Sequence, residues 1–311
     1  MRFLSRNAAS SKERVSPIPA GDLPGISCYT EGRTLVVNFT EIPIVSFNPT
    51  SEEIRARRRR FRKNASKFKP DPNRSDPIVD SEGRTRYFFA GDGNTKLGPA
   101  FIDVSQIPGY RDEIRTSSGH LKIGMKGTCP EGVPCADMGC YAINAVKRYK
   151  DDKRRYLEDN TALLREGHCK EFADFIVERA RGHLAVRFNT YGDFVNYGHF
   201  MATVDVARRL PDKEVLAFTK AFGIIQDAVS QQDFRMPPNY TLLLSAWKDM
   251  WPIPGELRDR FPVAEYVDDP KEVKDRSKLC RGDCSACAYC IGLQPGDWVY
   301  LVNSYKRRHR K

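Results

Sequence analysis

The stretch 184–194, LAVRFNTYGDF, decides the fold of this chain. It is an apolar run with aromatic residues that ends in a Gly-Asp turn, a pattern typical of a buried strand. Two later runs have the same form, EVLAFT at 214–219 and YTLLLSAW at 240–247. Between the first two runs, 200–210 has the apolar spacing of a helix. Because apolar strands alternate with helices, the sequence predicts βαβ units and a parallel sheet.

The same alternation extends in both directions. A strand is predicted at 121–125 (LKIGM), helices at 141–157 and 169–181, and a last strand at 297–305. In parallel sheets the functional residues lie at the carboxyl ends of the strands. Here those ends carry a cysteine loop, Tyr191-Gly192-Asp193, Thr219-Lys220 and Ser245-Ala246-Trp247. We therefore expect these segments to share one site.

Seven of the nine cysteines fall into two short sets. The first set follows the predicted strand at 121–125 and consists of Cys129, Cys135 and Cys140. Thiolates packed this closely, beside glycine and small residues, are typical of a site for a soft metal. Three protein ligands leave one coordination position open. This suits a [4Fe–4S] cluster, or a zinc ion completed by His120 or His168.

The second set places four thiols within eleven residues: Cys280, Cys284, Cys287 and Cys290. We expect it to hold one metal ion or one cluster, because reduced thiols left together at a surface are open to oxidation. The spacing C-x3-C-x2-C-x2-C resembles a ferredoxin-type run read backwards. Zinc sites usually pair two C-x-x-C arms across a longer loop. The spacing therefore favours an auxiliary [4Fe–4S] cluster, with structural zinc as the alternative.

At this point the residues resemble the front half of a radical S-adenosylmethionine (SAM) barrel. A cysteine loop follows the first predicted strand, Gly-Asp ends the second, Thr-Lys the third and a serine the fourth. The segments RFNTYGDF and EVLAFTK and the cysteine loop ending in CYA also resemble a group of phage-encoded proteins of uncharacterised function that finish in a cysteine-rich tail. The resemblance covers about residues 121–290.

The resemblance implies an α/β fold with a partial parallel (β/α) barrel, because the chain after the fourth strand is short for a full one. It implies a [4Fe–4S] cluster on the first cysteine set. It also implies SAM binding by Gly192, Asp193, Thr219 and Ser245, and it makes Asp193 and Lys220 the candidate catalytic residues. The residue types alone leave simpler alternatives open. Asp193 suits a helix cap, and the other polar side chains suit solvent-facing loops.

Two features depart from the radical SAM pattern. The superfamily spacing is C-x3-C-x2-C, whereas the first set here reads C-x5-C-x4-C. Asp193 stands where the superfamily has a glutamate, so its carboxylate reaches one methylene less far. Cys280, Cys284 and Cys287 do show C-x3-C-x2-C, but no βα series follows them to build a cofactor groove.

The sequence predicts three regions around the barrel, which is placed at 116–265. Residues 1–25 are polar and expected to be disordered. Residues 26–115 are expected to form a β-rich extension that contains a basic helix at 51–64, begun by a capping box of Thr50 and Glu53. Residues 266–311 are expected to form a cysteine-rich cap and a basic tail.

The formal net charge of +11 is concentrated in two segments. Residues 51–70 carry nine basic side chains and the last six residues carry five more, so the rest of the chain is slightly acidic. The arginine fork suits phosphate, which predicts contact with nucleic acid or an acidic partner. The expected contact residues are Arg55, Arg57, Arg58, Arg59, Arg60, Arg62 and Lys63.

These observations favour a radical SAM-like iron–sulfur enzyme that generates a 5′-deoxyadenosyl radical and acts on nucleic acid or a nucleotide. Such an enzyme needs an electron donor. The alternative is a zinc-stabilised nucleic-acid-binding protein without catalysis. No apolar run is long enough to span a bilayer, so no membrane partner is expected. The expected location is the cytoplasm, which is the host cytoplasm if the chain is phage-encoded.

Overall fold

The computed structural model describes residues 26–31, 34–39, 50–64, 74–94, 96–116, 119–122, 125–137, 140–148, 151–247 and 250–302. The predicted disorder at 1–25 and the basic tail at 306–311 lie outside these residues. The chain divides into two compact units, 1–43 and 44–311. In the first unit, strands β1 (Ile26–Glu31) and β2 (Thr34–Phe39) pair as an antiparallel hairpin.

The second unit begins with a long helix and a series of short elements. These are α1 (Ser51–Asn64), β3 (Ile78–Val79), β4 (Thr85–Arg86), β5 (Phe101–Asp103), β6 (Glu113–Thr116), β7 (Gly119–Lys122), α2 (Pro134–Asp137), α3 (Tyr141–Val146), α4 (Asp151–Arg165) and α5 (Cys169–Ala180). Strands and helices then alternate through β8 (Ala185–Phe188), α6 (Tyr197–Arg209), β9 (Glu214–Thr219), α7 (Phe222–Val229), β10 (Tyr240–Ala246), α8 (Gly255–Arg258) and β11 (Val263–Val267). The chain ends in α9 (Cys284–Cys287) and β12 (Trp298–Val302).

Six strands form one parallel sheet in the order β5-β8-β9-β10-β11-β12. The prediction of a parallel sheet is thus confirmed. The strands follow chain order without the reversal that marks a doubly wound fold. Within the part of the chain that the structure describes, β5 and β12 do not pair with each other, so no closed barrel is formed there.

The position of the first strand was predicted wrongly. Leu121 and Lys122 of this segment do not enter the sheet, because they belong to β7, which pairs antiparallel with β6. The first strand of the sheet is β5, which pairs parallel with β8 from Phe101 to Asp103. β5 could not be recognised from the sequence because three residues are too few to give a periodic signal. In the chain it is also separated from the cysteine loop by the hairpin β6–β7. The predicted helix at 141–157 is likewise divided into α3 and α4.

The two faces of the sheet are covered by different elements. On one face, Phe188 of β8 packs against Phe172 of α5, with ring centroids 6.0 Å apart. The opposite face carries a row of apolar side chains from four adjacent strands, which packs against the second cysteine segment: Leu216, Leu243, Ala264 and Val299. The second cysteine set therefore lies on the face of the sheet away from α5.

Helix α1 packs on the second cysteine segment through one face. Ile54, Arg57, Arg58 and Phe61 follow the i, i+3, i+4, i+7 spacing of such a face, and these are its less exposed residues. Phe61 contacts Phe101 with ring centroids 4.9 Å apart. No helix among the described residues is both long enough and apolar enough to cross a membrane.

Candidate functional site

The first cysteine loop is held at the carboxyl end of β5. The Thr128 backbone N–H donates to the Ile107 carbonyl (2.9 Å), and the Cys129 N–H donates to the Gly109 carbonyl (2.9 Å). Gly127 makes this approach possible, since a Cβ there would lie 2.2 Å from the Gly109 carbonyl oxygen. The loop thus begins beside the segment that continues from the first strand.

The three thiols of the first set share one environment. Burial raises the pKa of Cys129 to about 12, and the Asp193 charge adds to the effect. The Cys135 thiol donates to Cys140, which raises the pKa of Cys135 and lowers that of Cys140 to about 6. Burial opposes the lowering at Cys140, and the backbone N–H groups of Ile143 and Ala142 at the start of α3 support it. Within this pair Cys140 is therefore the more acidic thiol.

Lys220, at the end of β9, faces these thiols. Burial alone would lower its pKa, but Tyr266, Cys135, Asp193 and Cys129 together raise it, so the ammonium stays charged. Its Nζ lies 5.7 Å from the centroid of the Tyr266 ring. The structure thus brings the first cysteine set, Asp193 and Lys220 to one edge of the sheet.

Asp193 connects the ends of two neighbouring strands. One carboxylate oxygen accepts from the Thr219 hydroxyl (2.6 Å) and the Phe194 N–H (2.8 Å), and the other accepts from the Lys220 N–H (2.7 Å). Burial raises its pKa, whereas Lys220 and these donors lower it. The cap of α6 is not Asp193 but Asn196, whose side chain accepts from the His199 N–H (2.8 Å). Asp193 therefore fixes the strand ends on which Thr219 and Lys220 stand.

Gly192 brings the end of β8 against the cysteine loop. Its φ is +73°, and a Cβ there would lie 2.6 Å from Thr128 Oγ1 and 3.0 Å from the Gln106 carbonyl oxygen. The next residue, Asp193, donates its N–H to the same Thr128 hydroxyl (2.8 Å). Only glycine has both the conformational freedom and the size for this position.

Several buried polar atoms at the same edge have no hydrogen-bond partner among the described residues. They are both side-chain polar atoms of Gln106, the Thr190 hydroxyl, the Ser245 hydroxyl and the Trp247 indole N–H. Buried polar groups are nearly always satisfied, so each such group calls for an explanation. Of these residues, only Ser245 is a site residue predicted from the sequence. Gln106 follows β5, which is too short to be recognised in the sequence. Trp247 belongs to the strand end Ser245-Ala246-Trp247, so its position in the sequence could have indicated it.

The second cysteine set is held between the sheet and the segment before β5. The Cys280 N–H donates to the Tyr300 carbonyl (2.8 Å), and the Cys284 N–H donates to the Lys96 carbonyl (2.7 Å). Burial raises the pKa of Cys290 to about 12, the neighbouring Cys280 and Cys284 add to this, and Arg187 and Lys96 oppose it. Thiols of this set therefore lie close together, with two cations beside them.

A single metal ion requires several ligand side chains that converge on one point. Among the described residues, no three His, Cys, Asp or Glu side chains form a group that would hold a metal ion. The His168 Nδ1 lies 3.3 Å from Glu171 Oε1, and the His120 side chain lies outside the described part. The ligands of a [4Fe–4S] cluster are cysteine thiolates that each bind a separate iron. The first set supplies three cysteines, the ligand type of such a cluster.

A family model for Gene product 88 matches residues 89–291. The chain belongs to the Gene product 88 family, a phage protein family. No curated protein and no solved structure matches the chain. The Gene product 88 segment contains both cysteine sets and five of the six sheet strands, and it leaves out β12 and helix α1. The candidate site therefore lies within the part of the chain that defines the family.

Helix α1 precedes the Gene product 88 segment and divides its arginines between two faces. Arg57 pairs with Glu214 (Nε to Oε1, 2.8 Å). Arg58 donates to the Ile291 carbonyl (2.8 Å) and lies over the Tyr289 ring at 5.3 Å. The other basic residues predicted to contact nucleic acid are exposed: Arg55, Arg59, Arg60, Arg62 and Lys63. Two of the seven thus contact the protein itself, and five face solvent.

Proposed function

We propose that this protein is a radical SAM-like iron–sulfur enzyme. One observation carries the proposal. Three mutually interacting thiols lie with Lys220 and Asp193 at the carboxyl edge of a parallel sheet. Such edges are where α/β proteins hold cofactors and carry out chemistry. A surface zinc knuckle has no need of a buried lysine beside its ligands.

We further propose that the six-stranded sheet is the wall of a partial (β/α) barrel, with the second cysteine segment as its cap. Two observations support this. The strands follow chain order, and the segment with Cys280 and Cys290 packs on the face opposite to α5. In a barrel the face away from the helices is the interior.

In this proposal Cys129, Cys135 and Cys140 hold a [4Fe–4S] cluster. With SAM bound and one electron from an external donor, the chemistry available there would be reductive cleavage of SAM. Lys220 offsets the negative charge of the thiolates. Gly192 admits the close approach of two loops, and Asp193 fixes the ends of β8 and β9.

The SAM groove is assigned to Gly192, Asp193, Thr219 and Ser245. The hydrogen bonds of the Asp193 carboxylate to Thr219 and Lys220 give it a positioning role as well. The second cysteine set is assigned an auxiliary [4Fe–4S] cluster beside Arg187 and Lys96. A reducing compartment keeps such thiols available, so the proposed location is the host cytoplasm.

The test is the metal and sulfide content of protein purified without oxygen. We expect iron with acid-labile sulfide, and release of methionine and 5′-deoxyadenosine from SAM under a strong reductant. The triple alanine variant of the first cysteine set should lose that release and about half of the iron. Cys169→Ala is the matched control, because this buried cysteine belongs to neither set. Stoichiometric zinc without sulfide would overturn the proposal in favour of the zinc-stabilised alternative.

A second candidate function is binding of nucleic acid, favoured by the exposed basic residues of α1. Phosphate contacts release counterions, so affinity should fall steeply with salt. Replacing Arg55, Arg59 and Arg62 with glutamine should lower the slope of log affinity against log salt by about 0.9 for each phosphate that is no longer neutralised. A control variant replaces three exposed arginines on other elements, Arg181, Arg235 and Arg258. Equal slopes in both variants would show that α1 makes no phosphate contact.

A further inference from the structure

Three hydrogen-bond donors stand together at the carboxyl ends of β9 and β10. Lys220 directly follows β9. Its ammonium nitrogen lies 5.7 Å from the centroid of the Tyr266 ring. Leu244 pairs with Thr219 in the sheet. Ser245, the next residue of β10, is therefore the neighbour of Lys220 across the two strands. The Ser245 hydroxyl is completely buried, and within the described part of the chain it has no partner.

The third donor is the indole N–H of Trp247. Its ring stacks on Tyr266, with centroids 4.9 Å apart and planes inclined by 21°. The side chain is 5% exposed, and its Nε1 has no partner among the described residues. Trp247 and Lys220 thus both contact the Tyr266 ring, and Ser245 lies between them along the strand ends.

The hydrogen-bonding capacity of Lys220, Ser245 and Trp247 indicates which kind of ligand they would bind. An ammonium and an indole N–H donate and do not accept, and the hydroxyl donates as readily as it accepts. A buried donor without a partner destabilises a protein, because it has given up its hydrogen bond to water. The carboxylate that acts on the Lys220 ammonium is that of Asp193. It already accepts hydrogen bonds from the Thr219 hydroxyl and from the backbone N–H groups of Phe194 and Lys220. The group that satisfies Ser245 and Trp247 must therefore supply acceptors, and the Lys220 ammonium near them favours an anionic one.

We propose that Lys220, Ser245 and Trp247 bind an anionic oxygen group of the substrate, a carboxylate or a phosphate, against the stacked rings of Trp247 and Tyr266. The assignment to the substrate rests on the proposed function, in which Ser245 lines the SAM groove and the substrate would lie beside SAM. The binding itself does not depend on a cluster.

The test is titration of the full-length, anaerobically prepared protein with inorganic phosphate and, separately, with acetate, followed by tryptophan fluorescence. We expect saturable binding of at least one anion, and the preferred anion identifies the class of substrate group. Ser245→Ala should weaken binding about tenfold without changing the melting temperature, since this hydroxyl has no partner to lose. Trp247→Phe should abolish most of the signal.

Matched controls separate this site from general charge effects. Ser277→Ala removes an exposed hydroxyl on another element and should leave binding unchanged. The triple alanine variant of the first cysteine set should still bind the anion even though it cannot cleave SAM, so failure of the proposed function is distinguishable from failure of this site. Absence of saturable binding of both anions, or equal affinity in Ser245→Ala and the unaltered protein, would overturn the proposal.

Discussion

His199, in the first turn of α6, should make the protein lose stability in mild acid. Its ring is completely buried against Phe172 and Phe194, with centroids 5.2 and 5.4 Å away. Its Nδ1 accepts the Val195 N–H (3.2 Å), so the single proton of the neutral ring is on Nε2. Burial lowers the pKa of His199 from 6.5 to about 3. The folded protein therefore keeps His199 neutral at a pH where the unfolded chain protonates it.

The size of the effect follows from proton linkage. Below pH 6.5 His199 binds a proton in the unfolded state but stays neutral in the folded state. The free energy of unfolding therefore falls as the pH is lowered. Each pH unit between the two pKa values removes about 1.4 kcal/mol from the free energy of unfolding. Between pH 7.5 and pH 5.5 His199 should thus account for a loss of about 1.4 kcal/mol. Replacement with asparagine retains an acceptor for the Val195 N–H and removes the titrating group.

The assay is urea unfolding at pH 7.5 and pH 5.5 for the unaltered protein and for His199→Asn. The variant should be less stable at both pH values, with a loss on acidification that is smaller by about 1.4 kcal/mol. His168→Gln is the control with the opposite sign, because a hydrogen bond to Glu171 raises the pKa of His168. That group stabilises the folded state at low pH, so its removal should leave the acid loss unchanged or larger. An equal acid loss in His199→Asn and the unaltered protein would refute the reasoning.

Two further substitutions test the packing around the site. Gly192→Ala should lower the free energy of unfolding by about 2–4 kcal/mol, because a positive φ and overlap with neighbouring atoms act together. Gly282→Ala has a similar φ of +79° but no atom within 4 Å of the added Cβ, so about 1–2 kcal/mol is expected from conformation alone. Arg57→Met should cost about 2 kcal/mol in thermal or urea unfolding because it leaves a mostly buried glutamate unpaired. The exposed Arg55→Met should change stability by less than about 0.5 kcal/mol. Equal losses within either pair would contradict the packing described above.

The central strands were predictable because they are buried and apolar along most of their length. β8, β9 and β10 lie inside the sheet, and most of the residues of each are apolar and buried. β5 was missed because it contributes only three residues to the sheet and takes its stability from neighbours distant in sequence. LKIGM has the composition of a strand, but composition does not name the partner of a strand, and β7 pairs with the adjacent β6 in a hairpin and not with the sheet.

For the site, the sequence placed the cysteines, Asp193 and Lys220 at strand ends, and the structure brings them together. It did not indicate that the Asp193 carboxylate bonds to Thr219 and to the Lys220 N–H. The amino-acid composition of α1 also does not distinguish the arginines that contact the protein from those that face solvent. Which of them face the protein depends on Glu214 and Tyr289, far along the chain. A single sequence does not show such partners.

The packing of α1 on the second cysteine segment has a consequence for the order of events during synthesis. Arg58 and the Ile291 carbonyl that it contacts are 233 residues apart. A 14-residue helix is marginally stable in isolation, and its docking surface is incomplete until the last cysteines have been made. Although α1 is translated early, it is therefore a late element of folding. Until it docks, α1 does not enclose the thiols of Cys284 and Cys290, which then stay open to solutes on that side.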